Sequence, residues 1–398
     1  MTNPTLQTCH VPEGDEDLRA WVALSLCSEG KPQPWLDLAT ALGGALAVVM
    51  AGDEDLAEFG ASSEAITLLR EAWSRRSARF VDTARRLGLG VASFASPAYP
   101  SSLRLIPDPP LVLYWRGAEP VSCSPAVAVV GSRRCSDYGA RTAERVGREL
   151  AAAGVMVVSG LARGVDAAAH RGALGSGRTS AVLAGGLDHI YPGEHRGLAD
   201  RIVEAGGCLL SEQPPGERPR AWLFPYRNRI LTGLSLATVV VEADARSGSL
   251  ASARHALDQG REVFAVPGPI DSPSSVGTNR LLGQGASPFC GTSDLRAVSG
   301  LSKLLDKKSV KILETSGIDV ATIDESQASL LLAVAAGAAR PDEMAGAAAL
   351  DGARVLALLT ALELDGLVRR EAHGAFVVSD SGRRIATELK RRRGRSGH

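Results

Sequence analysis

Residues 126–160 read AVAVVGSRRCSDYGARTAERVGRELAAAGVMVVSG and follow the pattern strand, helix, strand. The apolar runs at 126–131 and 155–160 do not alternate with polar residues, so they suit strands that are buried on both faces of a parallel sheet. The segment between them has helical periodicity and ends at a glycine. This unit predicts an α/β fold.

The same pattern continues along the chain. Further apolar runs of strand length alternate with helical segments, and they are SAVLAGG (180–186), CLLSE (208–212), TVVVEA (238–243) and EVFAVPG (262–268). Six such runs with helices between them predict a doubly wound parallel sheet.

A different pattern precedes this region. Residues 15–86 read as short helices punctuated by glycines, which predicts a small N-terminal helical domain at 1–90. A Pro- and Ser-rich connector, 93–117, follows, and its proline density predicts that it contains no helix. The α/β core is expected at 91–297.

A further unit follows the core. A Lys- and Ser-rich stretch is expected to be a linker at 298–322. Residues 323–398 read as three helices, 326–337, 340–350 and 352–366, and a hairpin, 367–379. This combination predicts a winged-helix domain. The basic tail KRRRGRSGH (390–398) is typical of a solvated, disordered segment and only sometimes binds nucleic acid.

The overall charge limits the functions that are open to the chain. Its 398 residues include 44 basic and 44 acidic ones, so the net charge is zero. Attraction of the whole protein to nucleic acid or to a membrane is therefore excluded, and local clusters must supply any such attraction. No lysine lies between Lys31 and Lys303, which excludes Schiff-base and P-loop lysines from the core.

Cysteine spacing and hydropathy predict the compartment. The six cysteines form no CxxC pair and match neither a zinc site nor a disulfide framework, which favours free thiols in a reducing compartment. The N-terminus lacks the basic-then-apolar pattern of a signal peptide. The longest apolar stretch, around 41–52, is too short to span a bilayer. We expect a cytoplasmic protein without a membrane contact.

The strand ends carry the candidate ligand site, because open α/β sheets bind ligands beyond the carboxyl ends of their strands. All six predicted strands end in small-residue turns. The residues selected there are Gly131, Ser132, Arg133, Ser159, Gly160, Arg163, Gly185, Gly186, Ser247, Gly248 and Asn279. One such turn is explained by a tight strand-to-helix connection, whereas the set predicts a site for several phosphates.

A second cluster comprises Phe224, Arg227, Asn228 and Arg229. An aromatic ring that stacks on a base, beside arginines that follow the phosphates, is typical of proteins that bind single-stranded nucleic acid. The alternative is that Phe224 is a core or hinge residue ahead of Pro225.

The sequence contains fewer motifs that indicate catalysis than residues that indicate nucleic-acid binding. No histidine spacing matches a metal motif, and the sequence contains neither G-x-S-x-G nor a P-loop. We expect no metal and no cofactor. Glu242, at a strand end, is the carboxylate to test as a catalytic group. Its alternative role is to hold a neighbouring arginine or to cap the next helix.

The core resembles the DNA-processing protein A family (DprA, also called Smf) over residues 95–295. The resemblance lies in seven consecutive blocks, GSRRCSDYG, SGLARGVDAAAH, AVLAGGLDHIYPGEH, LLSEQPPG, FPYRNRILTGLS, VVVEADARSGSLASARHAL and GREVFAVPGPIDSPSSVGTNRLLGQGA. The N-terminal helices are similar to the optional SAM-like or helix-hairpin-helix domain of this family, and the C-terminal unit to its optional winged helix.

The resemblance implies an extended Rossmann-like core in a homodimer that binds single-stranded DNA. It implies a recombination mediator, not an enzyme, which protects incoming strands and helps load the RecA recombinase in natural transformation. It assigns DNA contacts to Arg133, Phe224, Arg227, Asn228 and Arg229. The winged helix would add a contact to duplex DNA or to a protein.

Two alternative functions stay open. The fold is similar to that of cytokinin-activating phosphoribohydrolases, which carry P-G-G-x-G-T-x-x-E. Here the nearest segment, VPGPIDSPSSVGTNRLL, has a long insertion and no following glutamate. The second alternative is a winged-helix regulator that binds duplex DNA and senses a small ligand through its α/β core.

Overall fold

The computed structural model describes residues 15–28, 30–120, 125–309, 323–337, 343–345, 351–364, 367–370 and 375–395. The chain divides into two compact units, Met1–Lys308 and Ser309–His398. Among the described residues, no helix combines the length and the apolar character that crossing a membrane requires.

A nine-stranded sheet forms the centre of the first unit. Its strands are β1 (Gly90–Ser93), β2 (Val112–Gly117), β3 (Ala126–Val130), β4 (Met156–Ser159), β5 (Thr179–Leu183), β6 (Cys208–Ser211), β7 (Ala237–Val240), β8 (Glu262–Ala265) and β9 (Ser287–Pro288). Their order is β1-β2-β6-β5-β4-β3-β7-β8-β9. Strand β2 pairs antiparallel with β1 and β6. All neighbouring strands in the order β6-β5-β4-β3-β7-β8-β9 pair in parallel.

The six apolar runs of the sequence form β3 to β8, so the doubly wound parallel sheet is confirmed. The prediction that the connector contains no helix was wrong, because Ser101–Arg104 form a one-turn helix. The connector also contains β2, on which the prediction was silent. That helix begins directly after Pro100, where a missing amide N–H breaks no helical hydrogen bond. Pro109 and Pro110 precede β2 and leave its ladder intact.

The predicted N-terminal helices are confirmed. They are α1 (Asp15–Cys27), α2 (Gln33–Leu42), α3 (Ala45–Met50), α4 (Asp53–Glu58), α5 (Ser63–Glu71) and α6 (Ser77–Arg86), with a π-helical segment at Ala72–Arg76 between the last two. Their apolar faces share one buried cluster with the sheet, in which Leu24 and Leu69 join Leu183 and Leu209. The domain boundaries at residues 90 and 297 stay predictions.

Helices cover both faces of the sheet. They are α7 (Ser101–Arg104), α8 (Asp137–Ala152), α9 (Val165–Leu174), α10 (Arg196–Glu204), α11 (Leu223–Gly233), α12 (Ser249–Asp258), α13 (Val276–Gly283) and α14 (Ser302–Ser309), with 3₁₀ turns at Gly193–His195, Pro273–Ser275 and Thr292–Ala297. Val127 and Val129 point into one apolar cluster, whereas Ala128 and Val130 point into the other. Strands covered on both faces are apolar throughout, as the sequence pattern indicated.

The second unit contains α15 (Glu325–Ala335), α16 (Gly352–Leu364), β10 (Val368–Arg370), β11 (Phe376–Val378) and α17 (Asp380–Arg395). The two strands pair antiparallel, and Leu331, Leu359 and Phe376 share its apolar cluster. Of the predicted helix 340–350, only 343–345 are described, as a helical turn, and linker residues 310–322 also lie outside the described residues. The basic tail, expected to be disordered, continues α17 as far as Arg395.

Candidate functional site

A cleft of about 640 Å³ opens at the carboxyl ends of β3, β4 and β7. Strand β3 lies between β4 and β7, which is where the strand order reverses and where doubly wound sheets form their ligand crevice. Eight of the fifteen predicted residues line this cleft, and they are Gly131, Ser132, Arg133, Phe224, Arg227, Asn228, Ser247 and Gly248.

Arg133 and Phe224 contact each other across the cleft. The guanidinium carbon of Arg133 lies 4.8 Å from the centroid of the Phe224 ring, within the range of a cation–π interaction. Tyr191 approaches the same ring edge-on, with centroids 5.5 Å apart and an interplanar angle of 61°. Phe224 is half-buried and lines the cleft, a position that agrees better with base stacking than with a core role.

Arg227 forms a buried cationic part of the cleft wall. Its Nη1 donates to the carbonyl of Gly160 at 3.0 Å, and its Nε donates to Oδ1 of Asn228 at 3.2 Å. Burial lowers the pKa of Arg227 to about 10, an effect that the nearby Asp166 carboxylate opposes. Arg227 is therefore charged at neutral pH.

Gly160 and Asp166 hold Arg227 in this position. A Cβ on Gly160 would lie 2.5 Å from Nη2 of Arg227 and 2.7 Å from Oδ2 of Asp166, so the close approach requires glycine. Oδ2 of Asp166 accepts from the amides of Gly160 at 3.1 Å and Ala162 at 3.3 Å. Burial raises the pKa of Asp166, and the charge of Arg227 opposes that shift.

Glu242 shapes the turn between β3 and α8. Its Oε2 accepts from the amide of Ser136 at 2.8 Å, and its Oε1 accepts from the Ser136 hydroxyl at 2.5 Å. The Ser136 hydroxyl in turn accepts from the amide of Gly139 and caps α8. The carbonyl of Glu242 accepts from the amide of Ser132 at 2.7 Å. These contacts give Glu242 a structural role that differs from the expected one: it supports the cap of α8, whereas we expected it to hold an arginine or to cap the helix that follows it.

The cleft also contains residues that the sequence reasoning missed. Arg134, Arg246 and Tyr191 all line it and are exposed. Arg134 follows Arg133 and Arg246 precedes Ser247, so their positions next to selected residues could have indicated that they line the cleft. Tyr191 comes from the loop after β5, and no local pattern indicated it. In total, four arginines and two aspartates line the cleft, which makes it cationic.

Seven predicted residues do not line the cleft: Ser159, Gly160, Arg163, Gly185, Gly186, Arg229 and Asn279. Arg229 is buried, and it donates to Oε2 and Oε1 of Glu212 at 3.0 and 2.7 Å. Its guanidinium carbon also lies 3.8 Å from the ring centroid of Tyr226. Arg163 pairs with Glu194 at the surface. A DNA contact by Arg229 stays a prediction that this geometry does not support.

The other four residues shape the surrounding loops. The Ser159 hydroxyl donates to the carbonyl of Val129 at 2.6 Å. Asn279 exchanges two hydrogen bonds with the backbone of Gly268. Gly185 and Gly186 lie against the 213–220 loop, where a Cβ would collide with Pro219 or with the carbonyl of Pro214. The structure thus gives these residues packing roles next to the cleft.

The described ranges show how possible metal ligands are placed and what surrounds His170. No group of three His, Cys, Asp or Glu side chains there is placed to hold a metal ion. His170 is fully buried on α9, and its Nδ1 lies 2.7 Å from the Thr179 hydroxyl. Burial lowers the pKa of His170 to about 3, so it is a neutral packing residue at physiological pH.

Fold and cleft together define a Rossmann-like α/β protein that has an arginine-lined cleft and a C-terminal winged helix. Residues 90–299 match the family model of the DNA recombination-mediator protein A, and residues 319–374 match the DprA winged helix domain. The chain belongs to the DNA recombination-mediator protein A (DprA/Smf) family.

Individual relatives agree with this assignment. The DNA processing protein DprA of Bacillus subtilis is 41% identical over 213 residues, which cover 53% of this chain and 71% of that protein. Protein Smf of Escherichia coli is 49% identical over 192 residues, 48% of this chain and about half (51%) of that protein. The X-ray structure of DprA from Streptococcus pneumoniae superimposes with a TM-score of 0.62 at 33% identity, and the match covers 70% of this chain and 97% of that one.

Proposed function

We propose that this protein is a recombination mediator that binds single-stranded DNA in the cleft at the ends of β3, β4 and β7. The observation that carries the proposal is the Arg133 guanidinium over the Phe224 ring, 4.8 Å from its centroid, in a cationic cleft. Membership of the recombination-mediator family supports the same function.

The chemistry of the cleft suits an unpaired strand. Arg133, Arg134 and Arg246 are exposed and present guanidinium groups to phosphates, so binding should weaken as salt is added. The Phe224 ring offers a flat apolar surface to a base, and stacking of this kind accepts any base. No group in this proposal reads a base edge, so affinity should depend little on sequence.

We further propose that the protein acts as a homodimer and hands its strand to RecA. Two clefts on one assembly would raise the avidity for a long strand. The winged helix is proposed as an additional contact for duplex DNA or for a protein. Binding rather than catalysis is the proposed role of the cleft, in line with the engagement of Glu242 by Ser136.

The test is a fluorescence-anisotropy titration of the full chain with a labelled dT oligonucleotide and with its duplex counterpart. It is run at about 50 mM and about 200 mM salt. Preference for the single strand that weakens with salt supports the proposal and leads to a RecA strand-loading assay. Absence of single-strand binding at the lower salt concentration overturns it.

A further inference from the structure

A second groove, of about 190 Å³, lies beside the cleft in the same unit. The two are separated by residues 219–222, whose side chains alternate: Pro219 and Ala221 line the cleft, whereas Arg220 and Trp222 line the groove. Arg220, Ala221 and Trp222 are all exposed. A DNA strand that leaves the cleft would therefore cross this exposed segment, which we call the ridge, to reach the groove. We call it the Trp222 groove.

Trp222 is the unusual feature of this groove. Its side chain is 53% exposed, whereas Trp21, Trp35 and Trp115 are each at most 6% exposed. The Trp222 ring lies 6.3 Å from the Tyr226 ring at an angle of 48°, so Tyr226 packs beside it. A large aromatic ring left open to solvent is available to stack on a planar ligand.

The basic side chains of the Trp222 groove come from two chain segments, with Arg76 from the N-terminal helical region and Arg220 from the segment 219–222. Arg76 enters from the π-helical segment Ala72–Arg76, a rare backbone form that is frequent at functional sites. The acidic residues of the groove are already engaged: Glu212 binds Arg229, and Glu217 lies 3.6 Å from Arg220. Arg76, whose guanidinium carbon lies 5.9 Å from the Phe80 ring centroid, therefore adds positive charge to a groove that also contains the exposed Trp222 ring. A cationic side chain and an open aromatic ring in one groove suit a nucleotide.

We propose that the Trp222 groove is a second nucleotide subsite, in which a base of the strand held by the cleft stacks on Trp222 while Arg76 contacts its phosphate. This inference rests on the proposed single-strand binding and extends it. It makes the N-terminal helical region part of the DNA-binding surface. The strand would run from Phe224 across the ridge at 219–222 to Trp222.

The first test compares oligonucleotide lengths. Wild-type protein and Trp222→Ala are titrated with dT oligonucleotides of about 5 and about 20 nucleotides, since binding footprints of this kind run from about 4 to 16 nucleotides. We expect the variant to bind the short strand normally and the long strand about tenfold more weakly, the loss that corresponds to one stacked base. Phe59→Ala is the matched control, because Phe59 is an aromatic residue with 54% exposure in the N-terminal region.

The second test uses fluorescence. Trp222 is the most exposed tryptophan of the described residues, so stacking of the long dT strand should quench emission of the wild-type protein. Trp222→Phe preserves an aromatic ring but removes this signal. We expect it to bind the long strand with near wild-type affinity and without the quench.

The outcomes separate the subsite from the proposed function. If the wild-type protein binds neither strand, the cleft proposal fails and the subsite fails with it. If both strands bind but Trp222→Ala matches the wild type at each length and no quench occurs, only the subsite is refuted. A change in self-association of Trp222→Ala in sedimentation analysis, with unchanged DNA binding, would assign the groove to another copy of the chain and also refute the subsite.

Discussion

Replacement of Arg133 by alanine tests whether the cleft binds single-stranded DNA. Arg133 is exposed, lines the cleft and lies over the Phe224 ring. A hydrogen bond to a charged group contributes about 1.5–3 kcal/mol when it is protected from water. Because Arg133 is exposed, we take the lower end, which corresponds to an affinity for dT about tenfold weaker. Loss of one phosphate contact should also make the plot of log affinity against log salt shallower by about 0.7.

The assay is the dT anisotropy titration at several salt concentrations, with Arg201→Ala as the matched control. Arg201 is an exposed arginine on α10 that lies outside the cleft lining, so its removal changes the net charge equally. Arg133→Lys should retain the salt dependence and lose part of the affinity, because an ammonium group cannot stack as a guanidinium plane does. Equal losses for Arg133→Ala and Arg201→Ala would refute the cleft as the binding site.

Three further substitutions probe the rest of the account. Phe224→Ala should weaken dT binding by about 1–3 kcal/mol without changing the salt slope, since it removes stacking rather than charge; a changed slope in the salt titration would contradict this. Gly160→Ala places a methyl group 2.5 Å from Nη2 of Arg227, so we expect urea unfolding to show a destabilisation of about 1–3 kcal/mol. The anisotropy titration should show a lower affinity for dT. Wild-type stability together with wild-type affinity would show that Gly160 does not hold Arg227 in place. Arg229→Met leaves the mostly buried Glu212 carboxylate without its partner and should cost about 3 kcal/mol of stability, with the dT affinity of the folded protein unchanged. Weaker DNA binding at full stability would instead support a DNA contact by Arg229.

The parallel sheet was predictable because its strands are buried on both faces. Such strands are continuous apolar runs, and the sequence shows six of them. Strands β1 and β2 escaped prediction because β1 is only four residues long and the segment between the two strands is rich in proline. Their pairing depends on a distant strand, as in the register of Trp115 with Leu210 on β6, and no local pattern reports such a partner.

The candidate site was predictable where small residues and arginine follow a strand, or where an aromatic residue stands beside arginines in the chain. Arg133, Phe224 and Arg227 were selected from their neighbours in the chain, and they line one cleft. Arg229 has the same chemical character as Arg227, yet it faces Glu212 rather than the cleft. The difference is set by the face of α11 on which each arginine lies, and spacing alone did not reveal which face turns inward. Tyr191 comes from a separate loop, so only the folded chain brings it to Phe224.

Photochemical cross-linking tests the central claim most directly. A halogenated deoxyuridine oligonucleotide is irradiated on the full-length protein, and the cross-linked tryptic peptides are mapped by mass spectrometry. Trypsin releases residues 221–227, AWLFPYR, which include Phe224 and Trp222. We predict cross-links in this peptide that disappear when excess unlabelled dT competes. Cross-links confined to residues 323–395 would place the strand on the winged-helix unit and contradict the account.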